Sequence, residues 1–279
     1  MARLVKPARA AFFDLDKTLI PGSSLFLLAR GAYERDMFKV RDLLRFAWGQ
    51  AVFRLAGERA GNTEMSRTST LEFVTGHKAD ELVAWGTQIA EERILPRVYP
   101  DIVRVIDEHE ERGDLTFLVT AAPVELASTV AGALGMTGAI ATVSEIDSSG
   151  YYTGRLVGPV MHGPEKAKAV ARVAEEHGID LADCSAYSDS MNDLPLLEAV
   201  GDPHAVNPEH ELARIARVRG WRVHELRTRR RALLIGIPAG LGGAGLFWSG
   251  IALGMYAGRR RAQKRKRGPV EKLGRRFGI

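Results

Sequence analysis

Two aspartates stand two positions apart in "AAFFDLDKTLIPG", residues 10–22, directly after an apolar run. Carboxylates brought together away from water are costly unless something offsets their charge. A divalent cation at Asp14 and Asp16 would do so. A phosphate ester drawn to that cation would meet an aspartate nucleophile, an established route to covalent phosphoryl transfer. On an extended strand the two side chains would point the same way, about 6.6 Å apart.

A lone D-x-D is explained equally well by a turn or a helix cap, so three downstream stretches carry the reading. "TFLVTAAP", 116–123, is a second apolar run and ends in the hydroxyl of Thr120. It should turn at Ala121 into a helix whose free N–H groups can receive phosphate. "GPEKAKAV" places Lys166 at a helix start, with Lys168 as the other candidate cation. "SAYSDSMNDLPLL", 185–197, ends a third apolar run in Asp189, with Asn192 and Asp193 just behind.

The elements that must position these residues can be read from periodicity. Apolar runs at 10–13, 115–119 and 184–187 predict short buried strands of a parallel sheet. Residues 165–178 predict a helix with a glycine stop. "GYYTGRLVGPV", 150–160, predicts a β-hairpin. Residues 204–226 predict a strand end, a helix and a final strand. Strands alternating with helices mean an α/β sheet, whose ligands bind at the carboxyl ends of the strands. From about 22 to 95 the patterns are helical only, which predicts a helical insertion after the first strand.

D-x-D-x-T, a strand ending in Thr, a lysine, and a strand ending in D-x-x-N-D together resemble the haloacid dehalogenase superfamily of phosphotransferases. Within it, "YSDSMNDLPLL" and "GYYTGRLVGP" resemble subfamily IB, the phosphoserine phosphatase-like hydrolases. The resemblance implies a Rossmann-like, mostly parallel sheet with helices on both faces. Residues 1–20 and 96–226 form the core, and 21–95 form a class I cap inserted after strand 1.

It also implies the roles. Asp14 attacks phosphorus and becomes an aspartyl-phosphate. Asp16 protonates the leaving alkoxide and then activates water. Asp14, Asp189 and the backbone carbonyl of Asp16 hold Mg²⁺. Thr120, with Ala121, binds the phosphoryl oxygens, and Lys166 offsets their charge. Asp193 orients Lys166 or a metal-bound water. Asn192 supports the same loop, and Thr18 steadies the turn after the nucleophile. Relatives of this type usually carry S-G-G where this chain has Thr120-Ala121-Ala122, and G-D-G where it has Ser188-Asp189-Ser190. The expected substrate is a phosphomonoester, either a phosphoserine-like metabolite or a phospholipid head group.

The net charge of +5 conceals an asymmetry. Residues 259–279 hold ten Lys or Arg and one acid, and 227–231 hold four Arg, so residues 1–226 carry −8. Nucleic-acid binding is therefore not expected of the body. Between the basic clusters, residues 232–258 contain no charged side chain and eight glycines. That length suffices for a bilayer, and Gly236/Gly240 and Gly250/Gly254 have the spacing of close helix pairs in lipid. The tail, 227–279, is thus expected to associate with anionic lipid, as a single pass or a re-entrant segment, and to permit self-association. With no secretory leader evident and one cysteine, Cys184, the body is expected at the cytoplasmic face of the membrane. A competing class is a membrane-docked regulatory or scaffolding protein with this fold and little turnover.

Overall fold

The computed structural model describes residues 9–34 and 75–226. Six strands form one parallel sheet: β1 (Ala10–Phe13), β2 (Leu115–Pro123), β3 (Gly138–Thr142), β6 (Ser185–Ser188), β7 (Asp202–Val206) and β8 (Arg222–His224). Their order is β3-β2-β1-β6-β7-β8. The chain runs outward from β1 to β3 and then crosses to β6 on the other side. The β1/β6 junction is therefore the point where strand order reverses, which is where open α/β sheets bind their ligands. A separate antiparallel pair, β4 (Ser144–Ile146) with β5 (Tyr152–Leu156), follows β3.

All four residues of β1 are buried because both faces of the sheet are covered. Ala11 and Phe13 face a core that contains Ile102 and Ile106 of helix α3 (Pro100–Glu111) and Leu126 and Val130 of α4 (Val124–Ala133). Ala10 and Phe12 face the opposite core. That core contains Ala169 and Val170 of α5 (Pro164–His177), Leu197 of α6 (Leu194–Ala199) and Leu212 of α7 (His210–Arg219). Helix α5 stops at Gly178, whose φ of +62° is the left-handed conformation that closes a helix.

The register sets the height of the strand ends. Phe13 of β1 lies opposite Leu118 of β2 and Tyr187 of β6. Asp14, Thr120 and Asp189 each lie one or two residues beyond that row.

Within the stretch expected to be a helical insertion, helices are described near its two ends. Helix α1 (Ser24–Glu34) follows β1, and α2 (Ala79–Ile89) continues through a π-turn, Ala90–Ile94, toward α3. The rest of the predicted cap, 35–74, lies outside the described residues, as does the tail, 227–279. Among the described residues no helix is long and apolar enough to cross a membrane.

Two expectations are corrected. Residues 150–160 are not a hairpin in themselves. Residues 152–156 are its second strand only, and 144–146 are the first. The turn is made upstream, where Asp147 Oδ1 accepts from the N–H groups of Ser149 and Tyr151, an Asx-type turn. Strand β1 also ends at Phe13, before either aspartate. The Asp14–Asp16 spacing is therefore that of a turn, not of an extended strand.

Below the strand ends, Tyr187 stacks between Phe13 and His204, with ring centroids 4.5 and 4.2 Å away. Its hydroxyl lies 2.8 Å from His109 Nε2, and His109 Nδ1 lies 2.8 Å from Asp114 Oδ2. Burial holds the His109 pKa below the ordinary histidine value, against the pull of Asp114. The folded state thus binds this proton less readily than the unfolded chain does. Below the unfolded pKa of about 6.5, protonation favours unfolding. The Tm deficit of His109→Gln relative to the parent should therefore narrow as pH falls from about 7.5 to about 5 in paired thermal melts.

Packing is tight where β7 begins. A Cβ on Gly201 would lie 1.9 Å from the Ala182 carbonyl oxygen. Gly201→Ala should cost about 1–3 kcal/mol and lower Tm by roughly 2–12 °C in differential scanning calorimetry.

Candidate active site

Beyond the strand ends the chain brings a small set of polar groups together, and each arrives for a local reason. Asp14 continues the even-numbered side of β1, the side that α5 covers. Its N–H donates to Tyr187 O at 2.9 Å, which extends the β1/β6 pairing by one bond. The chain then turns sharply: Leu15 O accepts from the N–H groups of Leu19 and Ile20. Lys17 sits within this turn at φ +59°. Asp16 Oδ1 accepts from Ser24 N at 2.7 Å, so its carboxylate steadies the first turn of α1. Thr18 is fully buried, and its Oγ1 has no hydrogen-bond partner.

Helix α5 delivers the cation. Gly163, at φ +55°, and Pro164 open the helix, and Lys166 follows in its first turn. Lys166 is 3% exposed, and its Nζ lies 2.5 Å from Asp14 Oδ1 and 2.7 Å from Asp193 Oδ2. Ser188 Oγ donates to the same Asp193 oxygen at 2.7 Å. Lys168 instead lies on the exposed face and pairs with Glu165 at 2.8 Å. Of the two candidate lysines, Lys166 is the buried partner of Asp14.

The electrostatics reflect the count of buried charges. Asp14, Asp189 and Asp193 are buried carboxylates, and Lys166 is the one buried ammonium among them. Burial opposes the charge on Lys166, but Asp14 and Asp193 outweigh it and raise its pKa above the ordinary lysine value. Asp14 has only a half share of that ammonium. Burial pushes its pKa up to about 7, Lys166 notwithstanding. Burial likewise pushes Asp189 up to about 6. Asp189 Oδ2 is buried without a hydrogen bond, and the nearest cation, Lys17 Nζ, is 3.5 Å away.

Three buried carboxylates against one buried ammonium leave an excess of negative charge, which the half-exposed Lys17 offsets only in part. A hard divalent cation would offset that excess and would give the orphaned Asp189 oxygen a partner. Among the described residues no three His, Cys, Asp or Glu side chains are grouped closely enough to enclose a metal by themselves.

Thr120 ends the regular part of β2 in a buried position, and its Oγ1 accepts from Ala122 N at 3.2 Å. The strand runs on to Pro123 through an irregularity, so α4 begins at Val124 and not directly after Thr120. Ala121 is exposed, and its carbonyl accepts from Thr142 Oγ1. Asn192 is also exposed. Its N–H donates to Ser190 Oγ within a 3₁₀ turn, Met191–Asp193.

The structure thus gathers Asp14, Lys166 and Asp193 into one bonded cluster. Thr18, Thr120 and Asp189 are buried at the surrounding turns, and the Asn192 side chain stands outside the buried group. Four participants are not evident from the sequence. Ser188 supports Asp193, Lys17 approaches Asp189, and Glu209 holds Lys17 Nζ at 2.7 Å. Asn207 Nδ2 donates to Lys17 O at 3.3 Å. The Asn207-Pro208 dipeptide signals a turn, but not its partner 190 residues earlier.

The model of the haloacid dehalogenase-like hydrolase family matches residues 11–198. The protein named phosphoserine phosphatase SerB1 of Mycobacterium tuberculosis is 42% identical over 255 residues, covering 91% of this chain and 82% of that protein. A histidinol-phosphatase of Neisseria meningitidis is 32% identical over 221 residues, covering 76% of this chain and 96% of that protein. A crystal structure of a protein of unknown function from Bordetella pertussis superposes with a TM-score of 0.71 at 33% identity. It covers 79% of this chain and 99% of that one. The ordered motifs, the parallel sheet that aligns them and these matches place the chain in the haloacid dehalogenase-like hydrolase family, similar to its phosphoserine phosphatases.

Proposed function

We propose that this protein hydrolyses a phosphomonoester with Mg²⁺ through a covalent phosphate on Asp14. One observation carries the proposal: Lys166 bridges Asp14 and Asp193 beside Asp189, whose Oδ2 lacks a partner. Asp14, Asp189 and the Asp16 carbonyl would hold the cation, which when bound supplies charge neutralisation for the carboxylates and the phosphoryl oxygens.

Lys166 engages Asp14 Oδ1, and Oδ2 attacks phosphorus. The bond from phosphorus to the ester oxygen breaks. Asp16 gives its proton to the departing alkoxide. Asp16 then takes a proton from water, the water oxygen attacks phosphorus, and the bond to Asp14 breaks. Inorganic phosphate leaves and the carboxylate is restored. Lys166 and the Thr120 hydroxyl face the transferring oxygens, Ala121 shapes the turn beside them, and Asp193 fixes the ammonium. Thr18 and Asn192 hold the loops that carry these groups.

Two relatives point to the substrate class. Phosphoserine and histidinol phosphate both place phosphate on a primary alcohol beside an amine-bearing carbon. A small metabolite of that kind is the first choice, and a phospholipid head group is the second. Residues 227–279 attach the protein to the cytoplasmic face of a membrane through anionic lipid and a hydrophobic segment, and permit pairing there. A match over 91% of the chain cannot fit within residues 1–226, so the similarity to the Mycobacterium tuberculosis protein reaches into this tail. After cell lysis a salt wash should leave the protein in the membrane fraction, whereas detergent should release it.

Phosphate release from phosphoserine, histidinol phosphate and detergent-dispersed phosphatidylglycerophosphate tests the reaction. Asp14→Asn should reduce kcat at least about a thousandfold and abolish acid-stable labelling by ³²P-substrate. Asp16→Asn should slow turnover by about 10²–10⁴-fold. Full activity of Asp14→Asn would rule out the mechanism. Lys166→Met should lower kcat about 10²–10³-fold, while Lys168→Met stays close to the parent in the same assay.

A further inference from the structure

Asp189 is 3% exposed, and its Oδ2 accepts no hydrogen bond. Lys17 Nζ stands 3.5 Å from that oxygen, an ion pair longer than an ordinary hydrogen bond. The same ammonium lies 2.7 Å from Glu209 Oε1. Both backbones are pinned. Lys17 N donates to Gly22 O, and Lys17 O accepts from Asn207 Nδ2. Glu209 N donates to Asp189 O at 2.9 Å, which ties the start of α7 to the Asp189 loop. Rotation of the lysine stem alone would carry its ammonium from one carboxylate to the other. The Lys17 and Glu209 side chains are both about half exposed, so neither stem is confined by packing.

We propose that Lys17 and Glu209 together set the affinity of the site for its divalent cation. Lys17 competes for Asp189 Oδ2, and Glu209 draws it away. The inference rests on the cation assignment under the proposed function. An ammonium on that oxygen repels an incoming dication and occupies the lone pairs the dication needs. Glu209 reduces this occupancy by offering a second carboxylate at hydrogen-bond distance. The two residues therefore act on the cation with opposite signs, and Glu209 acts only through Lys17. Both are positioning residues: neither touches the reacting atoms in this arrangement.

Isothermal titration of Mg²⁺ into the full chain in detergent micelles reads this directly, without turnover. Glu209→Gln keeps a hydrogen-bond acceptor but loses the charge. It should weaken Mg²⁺ binding about three- to fivefold, the range expected for a half-exposed pair. Lys17→Met keeps an unbranched stem at the same backbone angle and removes the competitor. It should tighten Mg²⁺ binding about three- to fivefold. The double variant should bind like Lys17→Met. Thermal melts of each variant without metal separate these effects from loss of folding. If Glu209→Gln weakens binding equally with and without Lys17, Glu209 acts on the cation itself and the inference fails. Unchanged affinity in both single variants overturns it as well. If the parent binds no Mg²⁺, the cation assignment fails and takes this inference with it.

Discussion

A single buried ammonium shared by two buried carboxylates constrains the whole region beyond the strand ends. Lys166 cannot be removed without leaving Asp14 and Asp193 together in a low-dielectric site, which is among the costliest arrangements a fold can hold. The first turn of α5 must therefore lie over the β1/β6 junction. A parallel sheet with α5 covering its even-numbered face accomplishes this. Asp14 continues that face one residue past the strand, and Ser188 continues it from the neighbouring strand to reach Asp193.

That cluster is short of positive charge. Three buried carboxylates stand against one buried ammonium and the half-exposed Lys17, and both Asp14 and Asp189 are pushed well above the ordinary aspartate range by burial. A self-sufficient structural ion pair would show no such deficit. An excess of negative charge at the switch point of a parallel sheet is what the proposed dication would offset. The odd-numbered face has no such demand. There Tyr187 is stacked between Phe13 and His204 and bonded to His109, a packed support directly beneath the reactive loops.

Much of this was legible in the sequence, for identifiable reasons. Strands β1 and β6 and helix α5 are short elements whose apolar residues and stop signals all agree, so local pattern and tertiary structure coincide. The order of Asp14, Thr120, Lys166, Asp189 and Asp193 was legible because each sits at a strand end or helix start. Three features were not. The hairpin was displaced because "YYTGRL" alternates as well as any two-stranded unit, while the Asp147 side chain makes the turn upstream. The exposure of Asn192 depends on a 3₁₀ turn that its own sequence barely distinguishes from a helix start. The contacts of Lys17 with Glu209 and Asn207 join residues about 190 positions apart, and no periodicity encodes such a pairing.

Lys17 and Asn207 also share a backbone peculiarity that locates strain. They are the two non-glycine residues at positive φ among those described, and they bond to each other. A left-handed conformation costs a side-chain-bearing residue about 1–2 kcal/mol, and such strain concentrates at sites that use it. Asn207 bears the conformation readily, because its amide meets Lys17 O and accepts from Leu226 N. Lys17 has no comparable local compensation. A glycine at position 17 would relieve the turn but remove the ammonium that stands between Asp189 and Glu209. The strain and the charge are thus tied to one residue: its backbone bonds to Gly22 and Asn207 hold the turn that presents Asp16 and Thr18, and its ammonium stands between Asp189 and Glu209.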